Sequence, residues 1–208
     1  MVLSKYSKDN FIAPKLSELT KVGAPELHYC TKEYGNWVGN FILNTIFRVR
    51  TNGQSRQLIM YFLRKVEGAL QEYHEGRNFL ENYVKNPDKS ISSYFHSIRH
   101  FETSMALAYQ AFGTIRTMIQ HDLFTKEDGS SLQRMNRLQN LSKHANNDIF
   151  LGNIPGEFNI NIWLTNDSIE CHDTTLTFYE FSLLLKELAN IAETMSNPPL
   201  HKPEKDKS

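Results

Sequence analysis

Two long runs of helical period, separated by one strong break, constrain this chain more than any other feature. From about Ser55 to Val84, Leu58, Tyr61, Phe62, Lys65, Val66, Ala69, Leu70, Tyr73 and Phe79 fall on one broad face. Asn86-Pro87-Asp88 then stops the helix, because the residue before a proline is pushed out of the helical region. A second run starts near Ser90 and reaches about His121, with Tyr94, Ile98, Phe101, Met105, Ala108, Phe112 and Ile115 among its inward residues. Ile91, Phe95, Tyr109 and Ile119 belong to the same stripe. Two helices of this length joined by a short break pack antiparallel.

Other elements attach to this pair. Tyr34, Trp37, Val38, Phe41, Ile42, Thr45, Ile46 and Val49 recur at spacings of three and four, which predicts an earlier helix. Asp128-Gly129-Ser130 is a break, with Ser130 or Ser131 as N-cap of a helix from about Leu132 to Ile149. Phe158, Ile160, Ile162 and Leu164 alternate with polar residues, the strand period. Asn166-Asp167 is a turn signal, and Ile169 to His172 returns as a second short strand. Thr177 or a neighbour starts a last helix, buried through Phe178, Phe181, Leu184, Leu185, Leu188 and Ile191.

The fold class expected is therefore mainly α. It is an antiparallel helical bundle of four to five helices, with a small β-hairpin inserted before the last helix. Residues 1–25 read as an irregular segment, punctuated by Pro14, Gly23 and Pro25. Residues 26–196 form one helical-bundle domain with the strand pair at about 158–172, and residues 197–208 read as a flexible tail. A length of 208 residues suffices for one well-buried core.

Charge argues for no partner class on its own, since Lys plus Arg equals Asp plus Glu at 23 each. Cys30 and Cys171 form no CxxC pair, so a disulfide framework is not expected and a reducing cytoplasm is the simpler setting. No apolar stretch is long enough to span a bilayer, so no membrane partner is expected. Nucleophile elbow, P-loop and dinucleotide fingerprints are missing, and no cofactor is expected.

One helix carries chemistry. Between Gly129 and Asn147 there is no acidic residue, while Arg134, Arg137 and Lys143 supply cations among Asn, Gln and Ser. Leu132, Met135, Leu138 or Gln139, Ser142, Ala145 and Ile149 form a packing side. Arg137, Leu141, His144 and Asp148 form another, with Asn140 at its edge. Arg137 and His144 lie roughly 10 Å apart along the axis at two turns' separation. Arginine offers a fork of donors to phosphate oxygens, and histidine moves protons near neutral pH. Asp148, one turn after His144, could orient the ring.

Arg137, six residues and then His144 on a late helix resembles the signature of the HEPN superfamily. Leu138 stands where such motifs often carry Asn directly after the Arg. The resemblance implies metal-independent RNA cleavage in a homodimer, with the two motif helices meeting across the interface. His144 would act as general acid and base, and Arg137 would stabilise charge in the transition state. Asn140, Asp148 and Lys143 would support them, and Arg134 would contact RNA. Many members are toxins held by antitoxins or are anti-phage effectors; others have lost activity and only bind. The alternative is a non-catalytic helical interaction protein with a degenerate site.

Two further sets compete. His96 and His100, one turn apart, have the spacing of a helical metal site, although Glu102 is not on their face. Arg48, Arg50, Arg56, Arg64 and Lys65 flank the first helix break and form either a solvated rim or an extension of an RNA surface. His28 sits beside Cys30 with no third partner evident.

Overall fold

The computed structural model describes residues 4–27, 36–47, 53–152 and 159–197, with Phe47 and Asp148 described by backbone only. The helices are α1 (Lys5–Phe11), α2 (Trp37–Phe47), α3 (Gly53–Lys85), α4 (Ile91–Ile119), α5 (Ser131–Phe150) and α6 (Phe178–Ser196). Three short strands, β1 (Trp163–Leu164), β2 (Ser168–Glu170) and β3 (Thr175–Thr177), precede α6. The chain is mainly α with a small antiparallel β unit before the last helix.

The α3–α4 hairpin is the frame. Its seam is tight because small residues let the backbones approach. Ser97 Oγ donates to Gly76 O at 2.7 Å, and Ser104 Oγ donates to Ala69 O at 2.7 Å. A Cβ on Gly76 would lie 3.2 Å from the Phe101 ring, so this position suits glycine. Phe62, Leu63, Val66, Leu70, Tyr73 and Leu80 of α3 are buried against Tyr94, Phe101, Met105 and Ala111 of α4. The capping box Thr177–Glu180 starts α6, whose Phe178, Phe181, Leu185 and Leu188 complete the core. α2 docks through Trp37, which is buried and donates its indole N–H to Glu193 of α6 at 2.9 Å.

The structure departs from the sequence reading in three places. The N-terminal segment, expected to be irregular, contains α1 and a 3-10 turn at Leu16–Glu18. Ser4 caps α1 by accepting from Ser7 N–H at 3.0 Å. Asp9 then holds Ser17 through its backbone N–H and hydroxyl, at 2.7 and 2.6 Å. Residues beyond it are pinned to the β1–β2 turn. Asn166 Oδ1 accepts from the N–H groups of Thr20 and Lys21, and Asn166 O accepts from Gly23 N–H at 2.7 Å. Tyr73 and Arg77 of α3 bind the backbone carbonyls of Pro25 and Ala24, each at 3.0 Å.

The second departure is the sheet, which has three strands in the order β1-β2-β3. Pairing puts Trp163 opposite Glu170 and Ile169 opposite Leu176. β2 is three residues long, so only Trp163 and Leu164 find ladder partners, and Ile160 and Ile162 stay outside the ladder. Phe158 lies outside the described residues. Tyr94 anchors the sheet to α4: its hydroxyl accepts from Leu164 N–H at 3.0 Å and donates to Leu164 O at 3.5 Å. Burial raises the Tyr94 pKa and keeps this hydroxyl protonated.

Third, several residues assigned inward face solvent: Ile42 and Ile46 on α2, Tyr61 on α3, Phe95 and Ile119 on α4, and Ile149 on α5. Tyr34, Arg48, Val49, Arg50, His28 and Cys30 lie outside the described residues, as does the tail beyond Asn197. Among the described residues no helix is long and apolar enough to cross a membrane.

Candidate functional site

α5 begins where the sequence places it. Gly129 takes a positive φ of 71°, and Asp128 Oδ1 accepts from Ser130 N–H at 2.8 Å. Ser130 is the N-cap, accepting from Gln133 N–H at 3.2 Å. Leu132, Met135 and Leu138 are buried, which fixes the rotation of the helix about its axis. Ser142 completes that side by donating to Glu102 of α4 at 2.8 Å. Burial raises the Glu102 pKa against this bond, so the carboxyl holds its proton more tightly than usual.

The same rotation turns Arg137, Asn140, Lys143 and His144 outward, and all four are exposed. Arg137 and His144 thus share an open face. Asn140 donates to Asn136 within the helix at 3.1 Å. The side chain of Asp148 lies outside the described residues.

Two of the three cations of this helix hold acids from later in the chain. Arg134 donates to Thr175 O at 3.0 Å and to Glu180 Oε1 at 2.5 Å. Its buried Nε has no hydrogen-bond partner among the described residues. It ties α5 to β3 and to the first turn of α6, a structural position rather than an outward one. Burial opposes the Glu180 charge, but the bonds from Arg134 and Thr177 outweigh it and hold the carboxyl below its ordinary range.

Arg137 donates to Asp173 Oδ2. Asp173 sits at the tip of the β2–β3 hairpin, which is closed by Cys171 N–H donating to Thr174 O at 2.9 Å. Thr174 Oγ1 and Cys171 Sγ donate to its other oxygen at 2.9 and 3.3 Å. His172 Nε2 lies 3.2 Å from Oδ2. Burial opposes the charge here too, yet the donors from Thr174 and Cys171 and the charges of His172 and Arg137 lower the Asp173 pKa. Burial pushes the Cys171 thiol up, which disfavours a thiolate.

Cys171, His172 and Asp173 are the group of possible metal donors within 4.8 Å of one another among the described residues. A protonated thiol and an Arg137 guanidinium on the same carboxylate both oppose a cation there. His96 and His100 are engaged differently. Phe79 packs against both rings at 5.0 and 5.2 Å, and Glu72 of α3 lies 2.6 Å from His100 Nδ1. In the basic group flanking the first helix break, Arg56 and Arg64 are exposed on α3, and Lys65 lies over the Tyr61 ring at 5.1 Å.

Sequence reasoning missed Asp173 and Glu180, because they reach α5 from 36 and 46 positions away, and His172, which stands beside Asp173. The usable signal was the Thr177-x-x-Glu180 capping box, which fixes where the Glu180 carboxylate stands. No protein-family model, curated protein or solved structure matches this chain.

Proposed function

We propose that this chain is a HEPN-like RNA-binding or RNA-cleaving protein that acts as a homodimer through α5. The observation carrying this reading is the shared exposed face of Arg137 and His144, set by burial of Leu132, Met135 and Leu138 behind it. The Arg137 fork already holds one oxyanion, the Asp173 carboxylate, and an RNA phosphate offers the same kind of acceptor. Ile149, Phe150 and Leu151 lie exposed at the end of the same helix, a surface that a second chain would cover.

In this reading two α5 helices form opposite walls of one cleft. His144 takes the proton from the 2′-hydroxyl or returns one to the leaving oxygen. Arg137, released from Asp173, stabilises charge on the phosphorus centre. Lys143 and Asn140 line the approach, and Asp148 follows His144 by four positions on the same helix. No metal takes part. A toxin or anti-phage effector of the cytoplasm, restrained by an antitoxin, is the biological setting that fits such an activity.

The test is cleavage of several RNAs by the full chain in EDTA. Wild type should cut them, and His144→Ala and Arg137→Ala should each reduce the rate by about 10²-fold or more. Intact RNA with wild type would reject the catalytic reading. A second reading, a non-catalytic interaction protein with a degenerate site, is favoured by the engagement of Arg137 with Asp173. It expects intact RNA and a partner or second copy bound over α5.

A further inference from the structure

The chain is neutral overall, but its charge is unevenly distributed. From Tyr34 to Val66 there is no acidic residue, while Arg48, Arg50, Arg56, Arg64 and Lys65 supply five cations. α2 lies inside this stretch and contains no charged residue at all. It buries Trp37 and Phe41, yet leaves Ile42, Leu43 and Ile46 at 43, 54 and 66 % exposure. Lone exposed aliphatics need no explanation, but three within five positions of one helix form a patch.

The patch borders a groove of about 570 Å³ between α2 and α3. Ile42 and Ile46 form one wall and Met60 and Tyr61 the other, with Arg56 and Arg64 on the rim. Both arginines are exposed, and neither makes a hydrogen bond or ion pair among the described residues. Aliphatic groups and exposed guanidinium groups thus stand side by side on one surface.

We propose that this face docks on an anionic phospholipid bilayer. Ile42, Leu43 and Ile46 would enter the headgroup boundary, the groove would admit an acyl chain, and Arg56 and Arg64 would hold lipid phosphates. The contact is peripheral and needs no crossing helix. Charge complementarity chooses this occupant. A second copy docked face to face would bring the same cations against each other. Single-stranded RNA would satisfy the cations, but the exposed aromatic ring of the groove, Tyr61, already carries Lys65, and Ile42, Leu43 and Ile46 would be left without a hydrophobic partner. The proposal is independent of Arg137 and His144.

The experiment is sedimentation of the full chain with phosphatidylcholine vesicles and with vesicles that also contain phosphatidylserine. The chain should pellet with the phosphatidylserine vesicles alone, and less so as salt rises. Arg56→Gln and Arg64→Gln should each weaken binding about fivefold. Leu43→Ser and Ile46→Ser should also weaken it, while Arg116→Gln, which alters a cation paired with Asp122, should not. Melting curves matching wild type would show that the exposed substitutions leave the fold intact. No pelleting with phosphatidylserine, or equal pelleting with both vesicles, overturns the proposal. So does binding that depends on the arginines but not on Leu43 and Ile46, with RNA competing; that result describes a polyanion surface.

Discussion

Asp173 gathers more partners than its exposure suggests. Its two oxygens face Thr174, Cys171, His172 and Arg137. The Arg137 and Asp173 side chains are 52 and 32 % exposed, so water screens their pair, and such pairs contribute about 0–1 kcal/mol. Asp173→Asn should therefore shift the unfolding free energy by no more than about 1 kcal/mol. In the RNA reading the same change frees the Arg137 fork and should increase RNA retained in a filter-binding assay. A gain that Arg137→Ala abolishes would place a phosphate at Arg137; a gain that survives it would assign the effect to the lost Asp173 charge alone. The helical spacing of the candidate pair was legible in the sequence, because periodicity alone assigns residues to a helix face. The carboxylates on Arg134 and Arg137 were not, because they belong to a hairpin tip and a helix cap whose placement is tertiary. A stretch free of acidic residues thus read as a cationic strip, although two of its cations are neutralised across space.

Among the elements, α3 and α4 were legible because runs of about thirty residues average out local exceptions. Strands of two or three residues are too short for any period, and β3 went unseen for that reason. The N-terminal strap went unseen because a side chain far along the chain orders it. Gly23 is the critical joint of that strap. A Cβ there would stand 2.4 Å from Asn166 O and 2.4 Å from Asp167 Oδ1, and the first is backbone that cannot swing away. Gly23→Ala should cost about 1–3 kcal/mol and speed protease cleavage within residues 4–27. Gly39 of α2 provides the contrast, since nothing among the described residues lies within 4 Å of a Cβ built there. Gly39→Ala should leave stability unchanged or raise it by up to about 1 kcal/mol through helix propensity. Limited proteolysis and melting curves of the two variants check both expectations.

Across the whole molecule, three carboxylates around α5 set opposing responses to pH. The folded-state pKa values of Asp173 and Glu180 are lowered. Their stabilisation is present above the ordinary carboxylate range, about 4, and is lost as pH falls through the folded values. Glu102 is raised, so the folded state holds its proton more tightly and stability declines as pH rises past the ordinary range. Glu102→Gln keeps an acceptor for Ser142 without the buried charge. It should raise the denaturant midpoint at neutral pH, with the advantage fading toward about pH 3, where the wild-type carboxyl is protonated. An equal advantage at both ends would assign the effect to packing.

The pin at Asn166 also bears on the order in which the molecule assembles. The Thr20 contact with it spans 146 positions, whereas the seam bonds of the α3–α4 hairpin span 21 and 35. Short closures form first because less chain entropy is lost in making them. On the ribosome residues 20–23 are made well before residue 166, so the strap must wait for that residue before it is fastened. During that interval its partners on α3, Tyr73 and Arg77, are already in place but uncovered. Closure of the strap over them, like docking of Trp37 on Glu193 across 156 positions, follows formation of the hairpin rather than leading it.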